Sequence, residues 1–232
     1  MLIFSLSFWF TERAIDLAFV IGASGPKAPS TFARMVTILK SIVDGYDVSA
    51  SKTHLALVDY NGLPANARVF FSDSYSKENF KIVAENIPGP GSRPGTLSDG
   101  LKKVRDEVFT LQRGERPFAE DILVVMTEGD FDENSKAITD AVGKLRDKPV
   151  KVIVIAITDE TDEDKYKVIA SGNNLVVILK TGGDNEKAKK VPFIATKGWL
   201  FINFLKRPAY KFLTQRLNSF HDILSSRQAV RV

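Results

Sequence analysis

The sequence contains no cysteine. Disulfides, thiolate metal sites and cysteine nucleophiles are therefore excluded. The absence does not place the protein in a compartment, because a chain of 232 residues can bury a core that needs no covalent staples. Histidine is almost as scarce: there are two, His54 and His221. A Ser–His–Asp set would need one of them beside an exposed serine at the strand ends. His54 instead opens an expected strand, His221 falls in the tail, and no G-x-S-x-G elbow occurs. No apolar run approaches the roughly 20 residues of a membrane-spanning helix, and no low-complexity tract suggests disorder. The acidic run at residues 159–164 lacks the alternating ligands and central glycine of an EF-hand loop, so it reads as a solvated helix start. No spacing puts two carboxylates in one cleft for acid/base work. A non-catalytic domain is expected.

What is present is an ordinary globular composition, 44% hydrophobic and 26% charged. The net charge of +4 is unevenly spread. Residues 1–180 carry 22 Lys+Arg against 25 Asp+Glu, whereas residues 181–232 carry 10 against 3. A mildly acidic body with a basic tail is not the footprint of a nucleic-acid-binding domain. Three segments follow: an apolar N-terminal stretch (1–13), a body (14–180) and a basic C-terminal extension (181–232). The stretch Leu2–Phe10 reads either as a truncated signal segment or as an edge strand; it lacks a basic leader, and Glu12 fits poorly at a cleavage site.

Along the body, short apolar runs alternate with helical periodicity. Leu17–Ile21 is continuous and apolar, as in a strand buried on both faces. Ser30 is a candidate cap for a helix with Phe32, Val36, Leu39 and Val43 on one face. Leu55 and Leu57 mark a second strand. Tyr60-Asn61-Gly62 then leads to Val69-Phe70-Phe71, which predicts a tight reversal and an antiparallel hairpin. Leu97, Leu101, Val104, Val108 and Leu111 fit one amphipathic helix. Further strands are expected at Ile122–Met126, Val150–Ile157 and Leu175–Leu179, with helices between them, one burying Ile138, Ala141, Val142 and Leu145. The fold class is α/β: a three-layer, open, mostly parallel sheet of Rossmann-like architecture, with one antiparallel edge strand and helices on both faces. Such sheets bind ligands beyond the carboxyl ends of their strands. The loops that matter are those after Ile21, before Leu97 and after Met126.

Two readings of those loops are open. Gly22-Ala23-Ser24-Gly25 resembles the glycine-rich start of short-chain dehydrogenases, which implies a nucleotide-dependent oxidoreductase of Rossmann type. The third glycine of a dinucleotide fingerprint is missing, however, Pro26 removes an N–H donor, and no tyrosine has a lysine four residues later. The other reading uses all three loops. Ile15–Ile21 with its small-residue loop, the hairpin after Leu57-Val58-Asp59-Tyr60, Pro94-Gly95-Thr96, Leu123–Gly129, Val154–Ile157 and Ile169-Ala170-Ser171-Gly172 follow one another in the order and spacing of a von Willebrand factor A domain. The stretch from Ala14 to Leu179 resembles that family.

The resemblance implies a protein-binding or adhesion module, secreted or extracellular, with a matrix or collagen-like protein ligand. Family members commonly hold Mg²⁺ through an Asp-x-Ser-x-Ser loop, a distant Thr and an Asp before Gly. A hard cation requires such oxygen donors. Mapped onto this chain, the metal-ion-dependent adhesion site is degenerate. Gly22 stands for the first Asp and Pro26 for the second Ser, Ser24 and Thr96 match, and Glu128 replaces the Asp. No cofactor is expected. The implied partner face is Ser24, Lys27, Arg93, Thr96, Glu128 and Asp130. In the tail, Leu213, Leu217, Phe220 and Leu224 form a stripe flanked by basic residues. It reads as a closing helix packed on the sheet, or as a helix meeting a membrane surface or partner.

Overall fold

The computed structural model describes residues 14–23, 28–73, 76–89, 95–129, 135–160, 162–172 and 175–182. All belong to the first of the two units into which the chain divides, residues 1–190. The N-terminal apolar stretch and, from residue 183 on, the basic tail with His221 and its amphipathic stripe lie outside the described residues.

Among the described residues six strands form one sheet: β1 (Ile15–Ile21), β2 (Thr53–Asp59), β3 (Asn66–Val69), β4 (Glu120–Thr127), β5 (Lys151–Ile157) and β6 (Val176–Leu179), in spatial order β3-β2-β1-β4-β5-β6. β1 lies between β2 and β4, parallel to both. From Asp16 to Ile21 every residue of it is buried, as its unbroken apolar run requires. β3 alone runs antiparallel, paired with β2. It is the expected edge strand, and it interrupts the βαβαβ order that a dinucleotide-binding half would need.

The helices are α1 (Ala28–Asp44), α2 (Lys77–Glu85), α3 (Leu97–Lys103), α4 (Ser135–Arg146) and α5 (Asp164–Lys167). The crossover through α1 moves outward from β1 to β2, and the one through α4 moves from β4 to β5 in the opposite direction. Right-handed crossovers in opposite directions put their helices on opposite faces. α1 packs with α2, and α3 with α4. The expected core residues Phe32, Leu39, Val43, Ile138, Ala141, Val142 and Leu145 are all buried. No described helix is long and apolar enough to cross a membrane.

Four local expectations need correction. α1 begins at Ala28, so Ser30 lies within its first turn rather than capping it. α2 was not anticipated; Ser76 caps it, accepting from Asn79 N at 3.2 Å, and Phe80 and Ala84 are its buried pair. The reversal after β2 is a longer connection, 60–65, containing a cis Leu63–Pro64 bond, and β3 ends at Val69. Finally, α3 does not continue in register to Leu111. It widens into a π-helical turn, Val104–Val108, closed by Phe109 N to Val104 O at 3.1 Å. The wider turn breaks the 3.6-residue period. Phe109 is buried in consequence, whereas Leu111 is 70% exposed.

Candidate functional site

The carboxyl ends of the three central strands are in register, with Ile21 beside Asp59 and beside Met126. The residues that follow, Gly22, Tyr60 and Thr127, therefore form the floor of the upper face. Tyr60 organises it. Its backbone N–H donates to Ile21 O (3.1 Å), and its hydroxyl reaches across β1 to Met126 O (3.4 Å). In between, the ring lies on Gly22: a Cβ there would sit 2.6–2.7 Å from three ring carbons. The glycine is a steric requirement of this packing, because real Cβ contacts do not come so close. Burial pushes the Tyr60 phenol well above its usual range; a hydrogen bond with Thr127 opposes this, and the nearby charge of Glu128 adds to it. The phenol acts here as a neutral bridge.

Asn61, 4% exposed, ties the loops together. Its Oδ1 accepts from Ala23 N (3.2 Å), and its Nδ2 donates to Pro88 O (2.9 Å). One buried amide thus joins the loop after β1 to the segment that follows α2. The entry to α3 also closes on this turn. A Cβ on Gly95 would meet the carbonyl oxygens of Tyr60 and Gly62 at 2.5 Å, so only glycine allows the approach. Thr96 then caps α3: its Oγ1 accepts from Asp99 N (3.2 Å), donates to Asp99 Oδ2 (2.7 Å) and lies 2.8 Å from Ser98 Oγ.

After β4, Glu128 is half-buried and Gly129 turns with φ +92°. That turn is held by Thr127 Oγ1, which accepts from Gly129 N (3.3 Å), and by Lys165 of α5, which donates to Gly129 O (2.8 Å).

Of the residues singled out by sequence, Gly22, Thr96 and Glu128 thus lie in loops that meet around Tyr60. Ser24, Pro26, Lys27, Arg93 and Asp130 lie outside the described residues. Tyr60 and Asn61 were read as turn formers, and their positioning roles were missed. The available signal was an aromatic and an amide following a buried strand directly.

The described donors fit Mg²⁺ poorly. Gly22 offers no side chain, and the Thr96 hydroxyl is already engaged by Asp99 and Ser98. Among the described residues no group of three His, Asp or Glu side chains is arranged to hold a metal. A divalent cation bound by protein alone needs more oxygen ligands than Thr96 and Glu128 supply.

A mostly parallel six-stranded sheet with one antiparallel edge, carrying a loop cluster at the ends of β1 and β4, defines a class of binding domain. The family model of the von Willebrand factor type A domain matches residues 16–190, and the chain belongs to that family. Human Matrilin-1 is 29% identical over 163 residues, 69% of this chain and 31% of the relative. The human Collagen alpha-5(VI) chain is 28% identical over 180 residues, 76% of this chain and 6% of the relative. The Xenopus laevis von Willebrand factor A domain-containing protein 2 is 30% identical over 147 residues, 62% of this chain and 18% of the relative. The chain thus spans less than a third of these relatives' lengths. Among solved structures, proximal thread matrix protein 1 from the mussel byssus, described with a zinc-occupied MIDAS motif, superposes with a TM-score of 0.68. It is 21% identical, and the match covers 80% of this chain and 46% of that one. The likeness is one of fold.

Proposed function

We propose that this chain is a non-catalytic protein-binding module of an extracellular matrix or adhesive protein, contacting its protein ligand through the upper loops without a shared cation. Family membership supports the binding role, and the matrix setting follows the relatives named matrilin and collagen VI. The observation that carries cation independence is the Tyr60 ring lying on Gly22, where the family's first ligand would project. Recognition then rests on loop shape and on side chains such as Glu128, with the loops held in place by Asn61 and Lys165 rather than by an ion.

A thermal-melt series of the full chain in EDTA, Mg²⁺, Mn²⁺ and Ca²⁺ tests this reading. The expected result is the same melting temperature throughout. A site occupied at 100 times its dissociation constant would raise the midpoint by roughly 5–10 °C in a domain of this size. A saturable shift of that order with one cation would overturn cation independence.

A further inference from the structure

At the opposite pole, where the parallel strands begin, buried charge is concentrated. His54 on β2, Asp16 on β1 and Asp121 on β4 are in-register neighbours, so their side chains leave the sheet on the same face. Glu120 and Lys151 belong to the other face by the same alternation.

Asp16 is fully buried, and Arg116 neutralises it. The Arg116 backbone N–H donates to Oδ2 (2.6 Å), Nε donates to Oδ1 (2.9 Å), and the guanidinium closes an ion pair at 2.7 Å. The same guanidinium also donates to Ile15 O (2.8 Å) and Lys52 O (3.0 Å), so it is fully engaged.

Asp121 lies next to this pair and is 8% exposed, yet its Oδ1 is buried with no hydrogen-bond partner among the described residues. Glu115 faces it from the loop before β4. Lys148, from the α4–β5 connection, acts on it by charge but already holds both Glu115 oxygens (2.9 and 3.1 Å) and Phe109 O (2.6 Å). His54 stands beyond Asp16, with Nε2 3.1 Å from Ala50 O. Three acids therefore share two cations, and Asp16 and Glu115 already hold both. A third buried negative charge would be poorly compensated.

We infer that Asp121 is a proton-binding group that links the stability of this fold to pH, the native state being favoured when its carboxyl is protonated. Burial first, then the charges of Glu115 and Asp16, push that carboxyl up to about 7; Lys148 pulls the other way, and a side-chain hydrogen bond with Glu115 adds a smaller push upward. An acid whose native pKa lies above its unfolded value binds its proton more tightly when folded. Its stabilising contribution is complete below the ordinary carboxylate range near 4 and is lost as pH rises through about 7. Between those limits the unfolding equilibrium should move towards the unfolded chain by up to roughly tenfold per pH unit.

The test compares the full chain with its Asp121→Asn variant in urea unfolding at intervals from pH 5 to pH 8.5. The amide keeps the shape of the protonated acid and cannot ionise. The native chain should lose stability relative to the variant as pH rises, with the gap levelling off above about pH 7–8. A gap that stays constant across the range would overturn the inference. Should the variant fail to fold, the ¹³C resonance of the Asp121 carboxyl in the unmodified chain decides. A midpoint near 7 supports the inference, and a midpoint near 4 overturns it.

Discussion

The two poles of the sheet solve the same problem in different ways. At both, parallel strands end and leave polar groups to be satisfied. The upper pole does this largely with neutral groups, namely the Tyr60 hydroxyl, the Asn61 amide, the Thr96 and Thr127 hydroxyls, and glycines that let loops approach; its buried carboxylate, Asp59 at the end of β2, is paired with Arg68. The lower pole uses ion pairs, with Arg116 on the buried Asp16 and the exposed Lys148 on Glu115, and leaves Asp121 over. Neutral hydrogen bonds with close backbone contacts give the upper loops shape at modest electrostatic cost. The lower pole ties the strand starts together through Arg116, which joins Asp16 and Ile15 of β1 to the Lys52 carbonyl before β2, and leaves the Asp121 carboxyl poorly compensated.

Substitutions at the lower pole are expected to cost most. Arg116→Ala leaves Asp16 as a buried charge without its guanidinium and removes one donor each from the carbonyls of Ile15 and Lys52. It should destabilise the fold by about 3–5 kcal/mol in urea unfolding. A loss below about 1 kcal/mol would mean the pair behaves like a surface salt bridge, and the poles would not differ.

At the upper pole, Gly22→Ala should cost about 1–3 kcal/mol, because the new methyl must displace the Tyr60 ring. Gly143→Ala in α4, where a Cβ meets nothing within 4 Å, serves as the control. It should gain up to about 1 kcal/mol through helix propensity.

Among the destabilising substitutions the smallest effect on global stability is expected from Asn61→Ala, about 1 kcal/mol, with water taking the place of the amide. Its signature should be local: faster hydrogen exchange at the Ala23 amide, with exchange in β4 and β5 unchanged. Protection at Ala23 that survives the substitution would remove Asn61 from its positioning role.

Much of this architecture was readable from pattern. Runs such as Leu17–Ile21 and Ile122–Met126 can be buried on both faces only in a central parallel sheet, and Ile138, Ala141, Val142 and Leu145 keep a helical period. Where the reading failed, something non-local had intervened. Leu111 follows the apolar spacing of α3, but the π turn at Val104–Val108 moved Phe109 into the core in its place. α2 offered only Ser76 and the Phe80/Ala84 pair, a weak signal in a nine-residue helix. In the candidate site, Gly22, Thr96 and Glu128 were legible because they occupy motif positions. Tyr60 and Asn61 were not, because their partners lie at Met126, Ala23 and Pro88, between 27 and 66 residues away.

The sequence by itself determined the class of fold, and through the family resemblance it implied an altered ligand set. Hydrophobic periodicity and the order of loops are local properties, and a glycine or proline at a ligand position is visible without coordinates. Only the tertiary structure decided why Gly22 suits its place and where the buried charge would gather. Both depend on strand register, which sets Tyr60 across the end of β1 and puts Asp121 beside Asp16. Such neighbours are brought together by the sheet, and nothing in the chain between them announces the contact.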